Sequence, residues 1–103
     1  MSVRYAFSLG LLSLTLSGCV TYIPVEEYTI ARAAVDSAKD AEAPRYVPAL
    51  WFNAEQAYHE GEKAFRDRSY GEAQSKFENA KTFAEQAENA ARLNRHQSGD
   101  VVP

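Results

Sequence analysis

The feature that most limits how this chain can fold is a row of seven positions, Tyr70, Ala73, Phe77, Ala80, Ala84, Ala87 and Ala91, spaced alternately by three and four residues. That alternation keeps one face of a helix apolar for about six turns. Five of the seven residues are alanine. A face built of methyl groups is covered well only by a neighbouring backbone that comes very close. The same kind of seam recurs upstream. Ala31, Ala34, Ala38 and Ala41 repeat at three and four residues, flanked by Ile30 and Val35. Leu50, Ala54, Ala57, Gly61 and Ala64 form a third row, and beside it Trp51, Tyr58 and Phe65 recur every seven residues. Small residues on one row permit close approach, and aromatics on the next fill the remaining space.

The boundaries of these stretches carry their own signals. Glu26 and Glu27 stand in a first turn, where the helix dipole favours anions. Pro44 disfavours helical geometry in the residue before it, so the first helix is expected over 26–43. Arg45 to Val47 reads as a connection. Pro48 suits a first helical position, where its missing N–H costs nothing, and opens a second helix over 48–67. Ser69 and Glu72 have the spacing of a capping box, which starts a third helix over 70–94. Glu62–Arg66, Glu72–Lys76 and Glu88–Arg92 have the favourable i,i+4 order. Arg92 and Arg95 sit where the last turn favours cations. Residues 97–103 have no period and are expected to be disordered. No apolar–polar alternation persists beyond Cys19, so no strand competes. At 103 residues there is room for one small domain. The expected fold is all-α, an antiparallel three-helix hairpin array with short loops and no sheet.

The amino terminus reads differently. Arg4 is followed by a 12-residue apolar stretch, Tyr5 to Leu16, that is too short to span a bilayer. It ends Leu16-Ser17-Gly18-Cys19, which resembles the lipobox of bacterial lipoproteins. The resemblance implies removal of residues 1–18 and a covalent diacylglyceryl group and N-acyl chain on Cys19. Several acyl chains together anchor a protein durably, because each buried CH₂ is worth ~0.8 kcal/mol. Val20 follows the cysteine, and by resemblance to the enterobacterial sorting rule this implies the inner leaflet of the outer membrane, facing the periplasm. A tether over 19–25, stiffened by Pro24, reaches at most ~20 Å from Val20 to Val25. The formal net charge of −3 gives no basic footprint for nucleic acid, and the single cysteine permits no internal disulfide.

Two family resemblances follow from the spacing. Gly61, Tyr70, Ala73, Phe77 and Ala80 resemble one tetratricopeptide-type helix pair, although Ala57 and Glu60 stand where that repeat has Trp and Leu. More broadly, Ala38-x-x-Ala41, Tyr46-Val47-Pro48-x-x-Trp51-x-x-Ala54 and Asp67-x-x-Tyr70-x-x-Ala73, with Ala80, Ala84 and Ala87, resemble the small envelope lipoproteins of the domain-of-unknown-function 4398 family. Val47 and Trp51 depart from its usual Ala and Leu. The resemblance covers roughly residues 28–92. It implies a cell-envelope location, alone or joined to an OmpA-like peptidoglycan-binding domain, and names no activity.

Catalytic groups are expected to be absent. No Gly-x-Ser-x-Gly, phosphate loop or His-Glu-x-x-His is present. Glu55, His59 and Glu62 share one helical face at a spacing that presents metal ligands, but a solvated polar face explains them as well, and no metal is expected. His96 lies near the tail. Tyr46, Trp51 and Phe52 cluster around the start of the second helix. They are either an interface anchor or filling at the end of an alanine core. Phe83, one step off the main stripe, is either an exposed contact or packs on the first helix. The expected function is a non-enzymatic protein-interaction or accessory lipoprotein with an envelope protein as partner. Its alternatives are a peptidoglycan-associated structural lipoprotein and, more weakly, a metal- or small-molecule-binding module. Self-association through an alanine seam stays open.

Overall fold

The computed structural model describes residues 21–99. Leu16, Ser17, Gly18 and Cys19, together with residues 100–103, lie outside the described residues. Four helices and no strand occur among the described residues: α1 (Val25–Asp40), α2 (Ala43–Tyr46), α3 (Pro48–Arg66) and α4 (Tyr70–Gln97). The fold is all-α.

Helix α4 is the spine, with α1 and α3 laid along it. The three alanine rows meet there. Ala31, Ala57, Ala64, Ala73, Phe77 and Ala80 close one half of the core. Ala38, Ala41, Ala43, Ala54, Ala84, Ala87 and Ala91 close the other. Tyr28 of α1 stacks on Phe77, while Ala38 ten residues later joins Ala84, Ala87 and Ala91, so α1 runs parallel to α4. Helix α3 runs the opposite way, with Ala54 beside the far end of α4 and Ala64 beside its start. The order is up, down, up. Seams of small side chains permit helix axes to approach toward the close end of the ~8–10 Å range of packed helices.

The first connection differs from its sequence expectation. Helix α1 ends at Asp40 rather than near 43, and Pro44 sits inside the one-turn helix α2. The reversal is made at Glu42, whose φ of 61° is left-handed, with its N–H bonded to the Lys39 carbonyl at 2.9 Å. Turning there buries both Ala41 and Ala43 in the core, at 2% and 0% exposure. Pro44 is tolerated because the first turn of a helix has N–H groups with no internal partner to lose.

The second connection overrides the capping box. Arg68 is also left-handed at φ 61°. Its N–H bonds to the Phe65 carbonyl at 3.2 Å, and the Ser69 N–H bonds to the Ala64 carbonyl at 2.9 Å. This is a Schellman closure of α3. It uses the Ser69 N–H, the donor that Glu72 would have to reach in a capping box, and the Ser69 side chain makes no capping bond. Ser69 ends one helix and begins the next, and its carbonyl accepts the Ala73 N–H at 2.8 Å. Helix α4 then runs to Gln97, past the expected stop at 94, until Gly99 takes a left-handed φ of 78°. A glycine takes this left-handed geometry at a helix end without the cost a Cβ would bring.

The chain joins the bundle earlier than the expected residue 26. Pro24 is fully buried, and its carbonyl accepts the Tyr28 N–H at 3.1 Å, so the chain is fixed to the bundle from Pro24 onward.

Candidate interaction surface

The largest departure from a pure alanine core is an aromatic cluster at the α1 start. Phe77 is 0% exposed, and Tyr28 lies over it with ring centroids 4.4 Å apart. Phe65 and Tyr58 meet Tyr28 edge-on at 5.2 and 6.0 Å. Gly61 makes this possible: a Cβ built there would lie 2.7 Å from two Phe77 ring carbons. Tyr58 and Phe65 were visible as a heptad-spaced row. Tyr28 was not, because it is a lone aromatic on α1 and its partners come from other helices.

Glu62 belongs to this cluster rather than to a ligand set. The Tyr28 hydroxyl donates to its Oε2 at 2.6 Å, and His59 Nδ1 lies 3.1 Å from its Oε1. Glu55 Oε1 is 3.7 Å from His59 Nε2 on the exposed side. Among the described residues no group of three or more His, Cys, Asp or Glu is arranged to hold a metal ion. Partial burial pushes the Glu62 carboxyl up, but the bonds with Tyr28 and His59 and the charges of His59 and Arg66 outweigh it, leaving the group below its ordinary 4.5. The bond to Glu62, helped by burial, pushes the Tyr28 phenol well above its ordinary 10.0.

These shifts set a pH dependence. The Glu62 contribution is present above pH 4.5 and is lost as pH falls through its depressed folded value. The Tyr28 contribution is present below pH 10.0 and is lost as pH rises toward its raised folded value. Urea unfolding across pH is expected to show both losses. Tyr28→Phe is expected to cost ~1 kcal/mol near neutrality, as for one hydrogen bond, and to flatten both limbs. An unchanged acid limb in Tyr28→Phe would contradict this assignment.

The four aromatics singled out in the sequence separate in space. Tyr46 and Trp51 are half-buried against the alanine cluster at the α2 end, with the Arg45 guanidinium 5.0 Å from the Tyr46 ring centre. Both flank the buried alanines there without being fully buried themselves. Phe52, one residue on, points outward and is 60% exposed. Phe83 is half-buried and does not lie free: it lines a groove between α3 and α4 with Asn53, Gln56 and Ala57. That depression holds about 340 Å³ and continues past the Lys76–Glu60 ion pair, at 2.8 Å, into a second of about 370 Å³ toward the α3–α4 turn. A shallower depression of about 390 Å³ lies beside Phe52 and shares Gln56 and Glu60 with the groove. Phe52 and Phe83 therefore stand on either side of a strip of α3 made of Gln56 and Glu60.

No spacing along the chain marks Gln56, Glu60 and Lys76 as parts of one surface. The Glu72–Lys76 spacing pointed to a pair within one helix. In the structure the Lys76 ammonium crosses to Glu60 instead, which holds the Glu60 carboxyl below its ordinary value. His96 is exposed in the last turn of α4.

The fold and this surface define a small all-α bundle whose seams are closed mainly by alanine and whose α3–α4 face carries an open groove lined by Phe83, with Phe52 beyond its Gln56–Glu60 edge. The chain belongs to the family described as a domain of unknown function (DUF4398), whose family model matches residues 26–99 and so spans all four helices. No curated protein and no solved structure matches the chain.

Proposed function

We propose that the protein is a lipid-anchored, periplasm-facing envelope lipoprotein that acts as a non-enzymatic protein-interaction or accessory module, its contact surface being the α3–α4 groove with Phe52 and Phe83. The anchor part of this reading rests on the Leu16-Ser17-Gly18-Cys19 motif after the apolar stretch. The observation that carries the interaction part is Phe52. It is a large aromatic, 60% exposed, lining a shallow depression on α3 next to the groove and not used by the core. Exposed aromatics at the edge of a depression are the residues that anchor protein contacts when a partner removes them from water. Anchoring confines the search for a partner to the membrane surface and raises its effective concentration.

Capture of tagged protein from cross-linked envelopes tests the reading. A discrete partner is expected in the native chain. It should be lost in Phe52→Ala and reduced in Phe83→Ala, with helicity by circular dichroism unchanged in Phe52→Ala. Truncating an aromatic hot spot costs ~2 kcal/mol or more, about thirtyfold in affinity. Recovery of peptidoglycan fragments alone, or of this chain alone, would overturn it in favour of a structural lipoprotein.

A further inference from the structure

Six large hydrophobic side chains are exposed among the described residues, and three of them, Tyr22, Ile23 and Val25, fall within four consecutive positions. Their exposures are 53%, 48% and 58%. The other three, Ile30, Phe52 and Leu93, are scattered along the helices. Single exposed apolar residues are ordinary, whereas a clustered set marks a contact.

This segment is held in place. Pro24, between the exposed residues, is fully buried. The Val25 N–H bonds to the Ile23 carbonyl at 2.8 Å, and the Tyr22 hydroxyl donates to both Glu27 carboxylate oxygens at 3.0 Å. The bundle thus presents three apolar side chains from a backbone tied to α1.

Their occupant follows from position in the chain. Tyr22 is three residues after Cys19, at most ~11 Å of extended backbone. With acyl chains on Cys19, which is part of the function proposed above and on which this inference rests, the segment is confined to the lipid surface. We infer that Tyr22, Ile23 and Val25 form a seat that lies on the bilayer and fixes the bundle's starting end against it. The neighbouring Glu26 and Glu27 do not attract anionic headgroups, so the seat suits a zwitterionic surface, with the Tyr22 phenol at headgroup level and the Ile23 and Val25 side chains below it. Phe52 lies fourteen residues before the α3 end that shares this side of the bundle, roughly 20 Å along the helix at 1.5 Å per residue. A fixed seat holds the groove at a set height above the membrane.

The test uses full-length lipidated protein purified from envelopes and reconstituted in phosphatidylcholine vesicles whose acyl chains carry bromine, a quencher of indole emission. The native chain has one tryptophan, Trp51, which packs at the other end of the bundle and supplies the baseline. Tyr22→Trp adds a second indole at an exposed position. The added emission is expected to shift to the blue and to be mostly lost in brominated vesicles, while Trp51 emission is unchanged. Adding Ile23→Ser and Val25→Ser should restore the lost emission without loss of helicity. Vesicle flotation with unquenched added emission would overturn the seat while leaving the anchor intact. Equal quenching of Trp51 would overturn it in favour of a bundle lying flat on the bilayer. Failure to float with the vesicles would overturn the anchor reading, and the seat with it.

Discussion

Phe77→Ala is expected to remove a large share of this protein's stability and to move its urea midpoint far down. Phe77 is the largest side chain fully buried in the helical seams, where nearly every other buried position is alanine. Removing a buried phenylalanine costs ~3–5 kcal/mol through lost transfer energy and the cavity left behind. A domain of this size has only ~4–12 kcal/mol in total, at ~0.05–0.15 kcal/mol per residue. The cavity closes poorly here. Tyr28 stacks on the ring and is held in place by its bond to Glu62, so the surrounding aromatics do not collapse into the space. Far-UV circular dichroism with urea titration measures the effect. Retention of the native midpoint would mean that the aromatic cluster contributes little and that the alanine seams alone hold the bundle.

Gly61→Ala carries the next largest effect on stability, and its sign runs against helix propensity. In an exposed helix interior, alanine is worth up to ~1 kcal/mol over glycine. At Gly61 the new methyl group would meet Phe77 Cδ1 and Cε1 at 2.7 Å. The ring is fully buried and confined by Tyr28, Tyr58 and Phe65, with centroids at 4.4, 6.1 and 6.5 Å, so it has no free direction in which to retreat. Overpacking of this kind costs ~1–3 kcal/mol. A net loss of ~1–2 kcal/mol is expected, a fall of roughly 5–10 °C in the melting temperature. The pair must couple, because the clash needs both partners. In a Phe77→Leu background the cost of Gly61→Ala is expected to shrink toward zero, and additive losses in the double variant would show that the clash is not its cause.

Both predictions depend on a contact that a row of residues does not display. The sequence put Gly61 on the small seam of one helix and Phe77 on the seam of another, and it showed that close approach was needed. It did not show that this glycine faces this ring. Periodicity reports which side of a helix is apolar and leaves open which residue of a neighbouring helix sits opposite. The same limit explains Glu62. Beside His59 and Glu55 on one helical face it reads as a polar triad, and only the arrival of Tyr28 from α1 makes it an acceptor within the bundle. Ser69 shows a further limit, since its local spacing was correct for a capping box. The backbone used the Ser69 N–H to close the preceding helix, because a single residue joins the two elements.

What the sequence determined by itself is the all-α class, the three long helices to within a few residues, and the place in the core of nearly every alanine of the three rows. These follow from local rules: side-chain spacing at 3.6 residues per turn and proline at the start of a helix. The tertiary structure alone decided the rest. It packed Tyr46 and Trp51, half-buried, against the alanine cluster and left Phe52 exposed, because consecutive helical positions are 100° apart and the direction of α4 decides whether it covers Trp51 or Phe52. It moved Lys76 from Glu72 to Glu60. It also buried Pro24 and left Tyr22, Ile23 and Val25 facing outward. Each of those outcomes depends on which surface of another helix arrives at the residue, a property of packing that no spacing along one chain segment encodes.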